Sequence, residues 1–225
     1  MTTTDTTTSA LVLRTCSADM TSTNGFVWPV EGPVTAPDWQ PDAKCGHGLH
    51  GALWGEGDGG LFNWSLDAVW QVVRITEWVD LVGKVKFPSG VVVHTGDQKS
   101  ATDYIITHGA TGPVIGATVV AGKGGSAQAG YEGSAQAGDR GFALAGDYGS
   151  AQAGYGGKAQ AGDRGSALAG DYGSAQAGDY GSISIRWHDG TRYRLAVGYV
   201  GEDGIMPNTM YHVVGGKLVQ KGATT

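Results

Sequence analysis

The sequence predicts a mainly β protein, in which a mixed, β-rich N-terminal domain with one helix precedes a parallel β-solenoid and a small antiparallel β cap. Three observations support this prediction. Residues 122–185 repeat a glycine- and alanine-rich octad eight times without a break, six of the seven tryptophans precede the repeat, and two hairpin patterns follow it. We therefore divide the chain into a disordered tail (1–10), an α+β domain (11–110), a β-roll (111–185) and a cap (186–225).

The N-terminal domain has the pattern of a small sheet with its own aromatic core, because the tryptophans gather there. Prolines at four positions predict a long loop over residues 22–41. One helix is predicted over residues 100–108, and Gly109 is expected to end it. Alternating apolar residues predict strands at 11–15, 70–75, 84–87 and 91–94, with a turn at 88–90 between the last two.

Each octad reads G-x-x-G-s-A-q-A, and its last four positions alternate polar and apolar residues. This period of two is typical of a half-buried strand, so the two alanines face inward while Ser and Gln face outward. The two glycines are expected to take positive φ around an Asp or Tyr corner. A fixed short period indicates a solenoid, whose units bury their apolar side by stacking about 4.8 Å apart.

The number of octads in one coil stays open between two and three. Residues 130–153 and 154–177 are near copies of each other, which favours a three-sided coil of three octads. Alanines, however, cannot fill a triangular tube to the packing density of about 0.75 found in protein interiors. We therefore favour a flat roll of two facing sheets, with two octads per coil and about four coils in roughly 19 Å.

Departures from the octad pattern predict where the roll ends and where it associates. Ile183 and Ile185 replace the inward alanines of the last octad, and with Trp187 they are predicted to cap the solenoid. Three apolar side chains stand at outward positions and predict an oligomer interface, although the chain's own terminal segments explain them almost as well. These three are Phe142, Leu144 and Leu168. Because a layer of alanines buries little apolar surface, we expect the roll to self-associate.

The C-terminal piece is predicted to form two β-hairpins. Asp189-Gly190 and Gly215-Gly216 are strong turn signals between alternating strands, and Pro207 separates the two hairpins. Tyr193 and Leu195 are expected to pack with Trp187 on the last coil.

Charge and composition exclude several classes of partner. The net charge of -6 argues against nonspecific binding to nucleic acid. The N-terminus has neither a basic start nor an apolar run, which argues against a signal peptide and a membrane span, so no membrane partner is expected. Two cysteines make no disulfide framework. We expect a cytoplasmic or virion-associated protein with free thiols.

A zinc site is one candidate for chemistry in the N-terminal domain. Two thiolates and two imidazoles suit tetrahedral zinc, and the candidates are Cys16, Cys45, His47 and His50. The alternative, which we favour, is a strand that points His50 inward to a backbone hydrogen bond. We therefore expect no cofactor. Zinc bound by these four residues is the alternative.

The Asp residues at the octad corners allow three interpretations. Calcium needs six to eight oxygen ligands, and one Asp per turn supplies few. Imitation of a DNA backbone is weakened by the four Lys and Arg residues in the repeat. Hydrogen bonds that cap each residue's own turn are favoured. The corner residues are Asp139, Asp147, Asp163, Asp171 and Asp179. An ice-binding face is also conceivable for a flat roll, but the outward positions carry Ser and Gln and no regular threonine lattice.

Three resemblances add to this interpretation. Residues 11–15, 45–55 and 84–93 resemble an uncharacterised domain found in hypothetical proteins of actinobacteria and their phages, which has no known activity. The octad rhythm is similar to the head repeats of trimeric autotransporter adhesins, which implies a parallel roll and a trimer, although the repeat lengths differ. Arg14 on a first strand with His50 on a second resembles the nicotinamide-binding core of ADP-ribosyltransferases, but no catalytic Glu is apparent on a later strand.

These observations favour a non-enzymatic structural or interaction protein of phage type that self-associates through its roll. Its expected partners are copies of itself and another virion or host protein. The competing interpretation is an enzyme or a small-ligand, nucleotide-binding domain in residues 11–109, with the roll as an oligomerisation stalk.

Overall fold

The computed structural model describes residues 9–22 and 24–222, and the chain forms two compact units, residues 1–112 and 113–225. The described part contains nineteen strands, one α-helix and one short 3-10 helix. The predicted mainly β class, with one helix, a parallel solenoid and an antiparallel cap, is therefore confirmed. The expected tail, residues 1–10, lies mostly outside the described residues.

Unit 1 is built on one seven-stranded antiparallel sheet. Its strands are β1 (Ala10–Cys16), β2 (Gly32–Thr35), β3 (Leu49–Leu53), β4 (Val69–Ile75), β5 (Val79–Asp80), β6 (Val85–Phe87) and β7 (Ser89–Gly96). They lie side by side in the order β2-β7-β4-β1-β3-β6-β5. The central strands β1 and β4 are buried along almost their whole length. All four strands predicted in this domain are present.

Two details of the predicted domain are wrong. The predicted loop over residues 22–41 contains β2, which pairs with β7. The predicted turn at residues 88–90 does not join neighbouring strands, because β7 begins at Ser89 and lies on the other side of the sheet from β6. Gly90 is needed for space: a Cβ there would lie 2.7 Å from the carbonyl oxygen of Arg74 on β4.

Helix α1 (Gln98–Thr107) forms as the sequence predicts. Asp97 caps its first turn by accepting a hydrogen bond from the backbone N–H of Ser100 at 2.8 Å. Ala101 and Ile105 are buried on one side of the helix, which packs on β4 and β7. The helix ends before Gly109, whose φ is +114°. None of the helices in the described ranges is long and apolar enough to cross a membrane.

Unit 2 is a flat parallel roll with two octads in each coil. A front sheet contains β8 (Thr118–Ala121), β10 (Ser134–Ala137), β12 (Ser150–Ala153), β14 (Ser166–Ala169) and β16 (Ser182–His188). A back sheet contains β9 (Ser126–Gln128), β11 (Phe142–Leu144), β13 (Lys158–Gln160) and β15 (Ser174–Gln176). Ser134 pairs with Ser150 and Ser150 with Ser166, so the coil repeats every two octads and the three-octad alternative is wrong.

The core of the roll is a single layer of alanine side chains between the two sheets, as predicted. These alanines are all buried, from Ala127 to Ala177. Val119 and Ala121 pack against one end of the layer, and the roll therefore begins one strand before the first octad. Ile183 and Ile185 fill the other end, each only 1% exposed. Their predicted role as a cap of the solenoid stays a prediction.

The conformation of the corners differs from the prediction. Positive φ falls on the third residue of each octad, for example +57° at Arg140 and at Tyr148, and not on the first and fourth glycines. Those glycines are required because successive coils stack through them. A methyl group at Gly149 would lie 2.8 Å from Ala145 Cβ and 2.9 Å from the carbonyl oxygen of Gly133 in the coil below. Glycine here supplies space between coils, and the exposed third residue supplies the left-handed turn.

The corner aspartates mostly join two coils. The Asp139 carboxylate accepts a hydrogen bond at 2.9 Å from the backbone N–H of Tyr155, sixteen residues later. Asp147 and Asp163 accept the equivalent bonds from Asp163 and Asp179. Only at Asp171 does the structure show the predicted bond within its own turn, to the N–H of Tyr172. The prediction was wrong for the other three because the next coil offers an unpaired N–H at hydrogen-bonding distance.

The cap consists of the two predicted hairpins, and it extends both sheets. Strand β17 (Tyr193–Tyr199) pairs with β16, while β18 (Tyr211–Val214) pairs with β15 and with β19 (Lys217–Gln220). Trp187 packs over the second turn, where a Cβ at Gly216 would lie 2.6 Å from the indole ring. Tyr193 and Leu195 do not pack on the last coil as expected, since they are 55% and 59% exposed.

We expect Gly149→Ala to destabilise the roll by about 1–3 kcal/mol, because overpacking between coils forces the backbones apart. Arg140→Gly, at the third position of the preceding octad, is the control. Its φ of +57° suits glycine, so the free energy of unfolding should stay within about 1 kcal/mol of wild type. Denaturant unfolding followed by circular dichroism measures both changes. Equal stability of Gly149→Ala and wild type would contradict the stacked arrangement.

Candidate functional sites

Unit 1 has a cleft where two neighbouring strands separate. Strands β1 and β3 pair only at Val12 with Leu53 and at Leu13 with Ala52, although β1 continues to Cys16 and β3 begins at Leu49. A cleft of about 1030 Å³ opens beyond these pairs, and the loops before β2, before β3 and after β3 complete its wall. Separated strands leave backbone and side chains available to a ligand, so this cleft is a candidate binding site.

Arg14 of β1 lines this cleft as a buried cation. It is 5% exposed, and its guanidinium carbon lies 3.4 Å from the centre of the Trp28 ring. Nη1 donates to Gln71 Oε1 at 2.8 Å, and Nη2 donates to the Thr15 carbonyl oxygen at 2.8 Å. Burial lowers the pKa of Arg14 to about 10. Within residues 9–22 and 24–222, no carboxylate forms an ion pair with it.

Gln71 on β4 fixes the position of the Arg14 side chain. It is completely buried, and its amide nitrogen donates to the Pro29 carbonyl oxygen at 2.8 Å and to Thr95 Oγ1 at 3.0 Å. These two bonds leave its oxygen directed at Arg14. The arginine is therefore held by a preformed polar network that joins β4 and β7 to the loop before β2.

The four predicted zinc ligands are placed differently from one another. Cys16 is buried against the Val69 carbonyl oxygen, whereas Cys45 is exposed and its Sγ accepts a hydrogen bond from Lys84 Nζ at 3.1 Å. The His47 ring lies 3.5 Å from Asp38. His50 and both cysteines line the cleft. In the described residues no three His, Cys, Asp or Glu side chains form a group that could hold a metal ion, and zinc stays a prediction.

Arg14 and His50, the pair noted for its resemblance to ADP-ribosyltransferases, both line the cleft but lie on opposite faces of the sheet. A Cβ at Gly51 would lie 3.3 Å from Arg14 Cβ, so Gly51 stands beside Arg14 across the strands. Side chains alternate along a strand, and His50 therefore points to the other face. His50 Nε2 is buried without a hydrogen-bond partner in the described part of the chain, and burial lowers the pKa of its ring.

The predicted oligomer interface is divided between the two faces of the roll. Phe142 and Leu144 lie on β11 in the back sheet, whereas Leu168 lies on β14 in the front sheet. All three are half-buried, and Lys158 Nζ lies 5.4 Å from the centre of the Phe142 ring. The three residues therefore do not form one continuous surface.

A surface that sequence reasoning missed lies on β17, the last strand of the front sheet. Alternate residues of this strand, Tyr193, Leu195, Val197 and Tyr199, are 55%, 59%, 49% and 57% exposed. The alternation was visible in the sequence, but we expected Tyr193 and Leu195 to pack on the last coil and gave Val197 and Tyr199 no role. A strand with a free edge and an apolar outer face is a common site of association between chains.

The comparisons found one matching family model and several similar proteins. Residues 10–105 match a domain of unknown function (DUF7666), which covers less than half of the chain. The ice nucleation protein of Pseudomonas fluorescens is 44% identical over 100 residues, 42% of this chain and 8% of that protein. The corresponding protein of Xanthomonas campestris pv. translucens is 38% identical over 113 residues, 48% of this chain and 7% of its own length. An ice nucleation protein of Pseudomonas syringae is 40% identical over 101 residues, which are 43% of this chain and 8% of that protein.

The chain thus spans less than a tenth of the length of these relatives. No solved structure matches it. The matches agree with a repeat-containing structural protein, but they do not support the expected actinobacterial or phage origin.

We expect Cys45 to be the reactive thiol of the native protein. The hydrogen bond from Lys84 lowers the pKa of Cys45, whereas burial raises that of Cys16. A lowered pKa means more thiolate at neutral pH, so iodoacetamide should modify Cys45 and spare Cys16. Lys84→Met should slow the reaction at neutral pH and move its pH midpoint upward. The control is Lys44→Met, which removes an equal charge nearby. Mass spectrometry of the modified peptides gives the rates, and unchanged kinetics in Lys84→Met would contradict the assignment.

Proposed function

We propose that this protein is a non-enzymatic structural protein that self-associates through the outer edge of β17. The roll acts as a rigid support, since coil-to-coil hydrogen bonds fix every strand in it. The match to ice nucleation proteins, in which the aligned part is a small share of a long chain, supports a structural role. The observation that carries the proposal is the geometry of β17, which offers both free backbone groups and apolar side chains.

Backbone groups on one side of β17 have no strand to pair with in the described chain. The Val200 N–H donates to the Gly181 carbonyl oxygen, and the Asp189 N–H donates to that of Arg192. Hydrogen-bonded pairs alternate along an antiparallel ladder, so Arg194, Ala196 and Gly198 are the residues bonded to β16. The N–H and C=O groups of the residues between them point to the free edge.

The side chains of β17 form an apolar stripe on the outer face of the front sheet. Val197 lies opposite Ser184 of β16, which in turn lies opposite Leu168 of β14. Leu168 therefore belongs to the same outer face as the stripe, whereas Phe142 and Leu144 face the other way. Of the three residues predicted to form an interface, we retain Leu168 in this surface.

The sequence of β17 is complementary to a second copy of itself. In an antiparallel pair centred on Ala196, Leu195 of one chain would face Val197 of the other, and Tyr193 would face Tyr199. Arg194 would face Gly198, so the two arginines would not oppose each other. Such aromatic and aliphatic cross-strand pairs contribute roughly 0.2–1 kcal/mol each. This two-fold arrangement favours a dimer over the trimer implied by the adhesin resemblance.

We expect the wild-type protein to have the mass of a dimer in size-exclusion chromatography with light scattering. Val197→Lys should give a monomer, because it places a lysine on the edge and in the stripe. The matched control is Val120→Lys, since Val120 is 71% exposed on β8, at the opposite edge of the front sheet. That variant should remain a dimer. A monomeric wild type, or a dimeric Val197→Lys, would overturn the proposal.

Ice binding is a second candidate, which one observation favours. The first outward residues of the front sheet form a continuous column of hydroxyl side chains, and Ser182 Oγ donates to Ser166 Oγ at 3.3 Å. The column is Thr118, Ser134, Ser150, Ser166 and Ser182. The neighbouring column is mixed, with Val120, Gln136, Gln152, Leu168 and Ser184. The back sheet carries Phe142 and Lys158 on its outer face. The column of hydroxyl side chains is therefore the one regular row among these outward columns.

A droplet-freezing assay separates the two candidates. The structural proposal leads us to expect the same freezing temperature for wild type, Ser150→Lys and buffer, because a single hydroxyl row about 19 Å long is a small surface. The control Gln160→Lys changes the back sheet only. Freezing at a warmer temperature in wild type and Gln160→Lys, but not in Ser150→Lys, would favour ice binding.

A further inference from the structure

We infer that the cleft of unit 1 binds a small organic anion, through the guanidinium of Arg14 and the indole N–H of Trp28. The anion is a molecule that carries a phosphate or a carboxylate group. This inference concerns the N-terminal unit and is independent of the self-association proposed for β17.

The first argument is the charge of Arg14. A buried cation is normally paired, because removing a charge from water costs several kcal/mol that a carboxylate must offset. Arg14 is surrounded instead by the Gln71 amide, the Thr15 carbonyl, the Trp28 ring and the thiol of Cys16, whose pKa is raised by burial so that it stays neutral. A neutral side chain of similar length would fill this position at lower cost. The retained charge therefore indicates a partner that the chain itself does not supply.

The second argument is that donors in the same place lack acceptors. Arg14 Nε and Trp28 Nε1 are both buried without a hydrogen-bond partner in the described residues. Their side chains are stacked on each other, and both line the cleft. Unsatisfied buried donors are uncommon and indicate a missing water, ion or ligand. Because both nitrogens are shielded from bulk water, a charge-assisted bond to an oxyanion there would be strong.

The third argument is that hydrogen bonds fix the conformation of the Arg14 side chain in the absence of a ligand. Gln71 is oriented by its bonds to the Pro29 carbonyl and Thr95 Oγ1, and it directs its oxygen at Arg14 Nη1. Thr95 Oγ1 in turn donates to the Val30 carbonyl at 2.6 Å. The side chain is therefore fixed before any ligand arrives, which reduces the entropy cost of binding.

The cleft indicates an organic anion and not an inorganic ion. Its volume of about 1030 Å³ is at the upper end of small-molecule sites. Phe26 and Phe62 contribute apolar wall, and Lys84 adds a second cation. Two carboxylates also line the cleft, but each already has a partner: Asp38 lies beside His47, and Asp58 accepts a bond from the Gly60 N–H.

Thermal unfolding of the full chain, followed by tryptophan fluorescence, tests the inference. Six of the seven tryptophans lie in unit 1, so the signal reports on that unit. The probes are AMP, citrate, inorganic phosphate and uncharged adenosine at millimolar concentration. We expect AMP or citrate to raise the midpoint by several degrees, with little effect of phosphate and none of adenosine. A response to AMP alone identifies the phosphate source, and one to citrate alone the carboxylate source. No response to either anion overturns the inference.

Three variants show whether Arg14 is the binding group. Arg14→Met should abolish the shift, because the guanidinium is gone. It also leaves the buried Gln71 oxygen without its donor, so the free variant is expected to be less stable than wild type. Arg74→Met, which removes an exposed arginine of β4, should keep the full shift. Trp28→Phe keeps the ring but removes the N–H, and it should weaken the affinity several-fold in calorimetry. A full shift in Arg14→Met overturns the inference. If Arg14→Met does not fold, the other two variants decide. The inference is then overturned if Trp28→Phe binds the anion with unchanged affinity and Arg74→Met loses the shift.

Discussion

The backbone hydrogen bonds between successive coils are the interaction on which the roll depends. A single layer of alanines buries few carbon atoms, so most of the stabilising contacts must come from the ladders that join residues sixteen positions apart. These ladders require the coils to approach to strand spacing at the corners as well as along the strands. That requirement explains why the first and fourth octad positions are glycine and why corner aspartates bond to the next coil. The spacing between successive coils therefore determines both the packing at the corners and the residues found there.

The same constraint determines what happens at the ends of the roll. The outermost strand of a stack always has unpaired N–H and C=O groups along one side. These groups must be covered, be protected from pairing, or pair with another chain. Ile183 and Ile185 fill the end of the core, and the two hairpins extend the sheets by antiparallel strands. Beyond them, β17 presents its free edge together with four exposed apolar side chains. The cap therefore ends the hydrophobic layer without ending the hydrogen-bond ladder, and a second chain can continue it.

Much of this fold could be predicted from the sequence, because alternation and turn signals are local. The inward alanines, helix α1 and the hairpin turns at Asp189-Gly190 and Gly215-Gly216 all follow from residues close together in the chain. The corners could not be predicted, since a glycine needed for space looks the same as one needed for positive φ. The environment of Arg14 could not be predicted either. It depends on Gln71, 57 residues away on β4, and on Trp28 in a loop whose path no local pattern determines.

The two units therefore present different kinds of surface, a polar cleft in one and an open strand edge in the other. Hydrogen exchange measured by NMR on the amides of β17 tests the central claim most directly. Arg194 and Ala196 donate to β16 within one chain, whereas Leu195 and Val197 point to the free edge. We predict that all four amides are protected at high protein concentration and that Leu195 and Val197 lose their protection on dilution. Fast exchange of Leu195 and Val197 at every concentration would contradict the account.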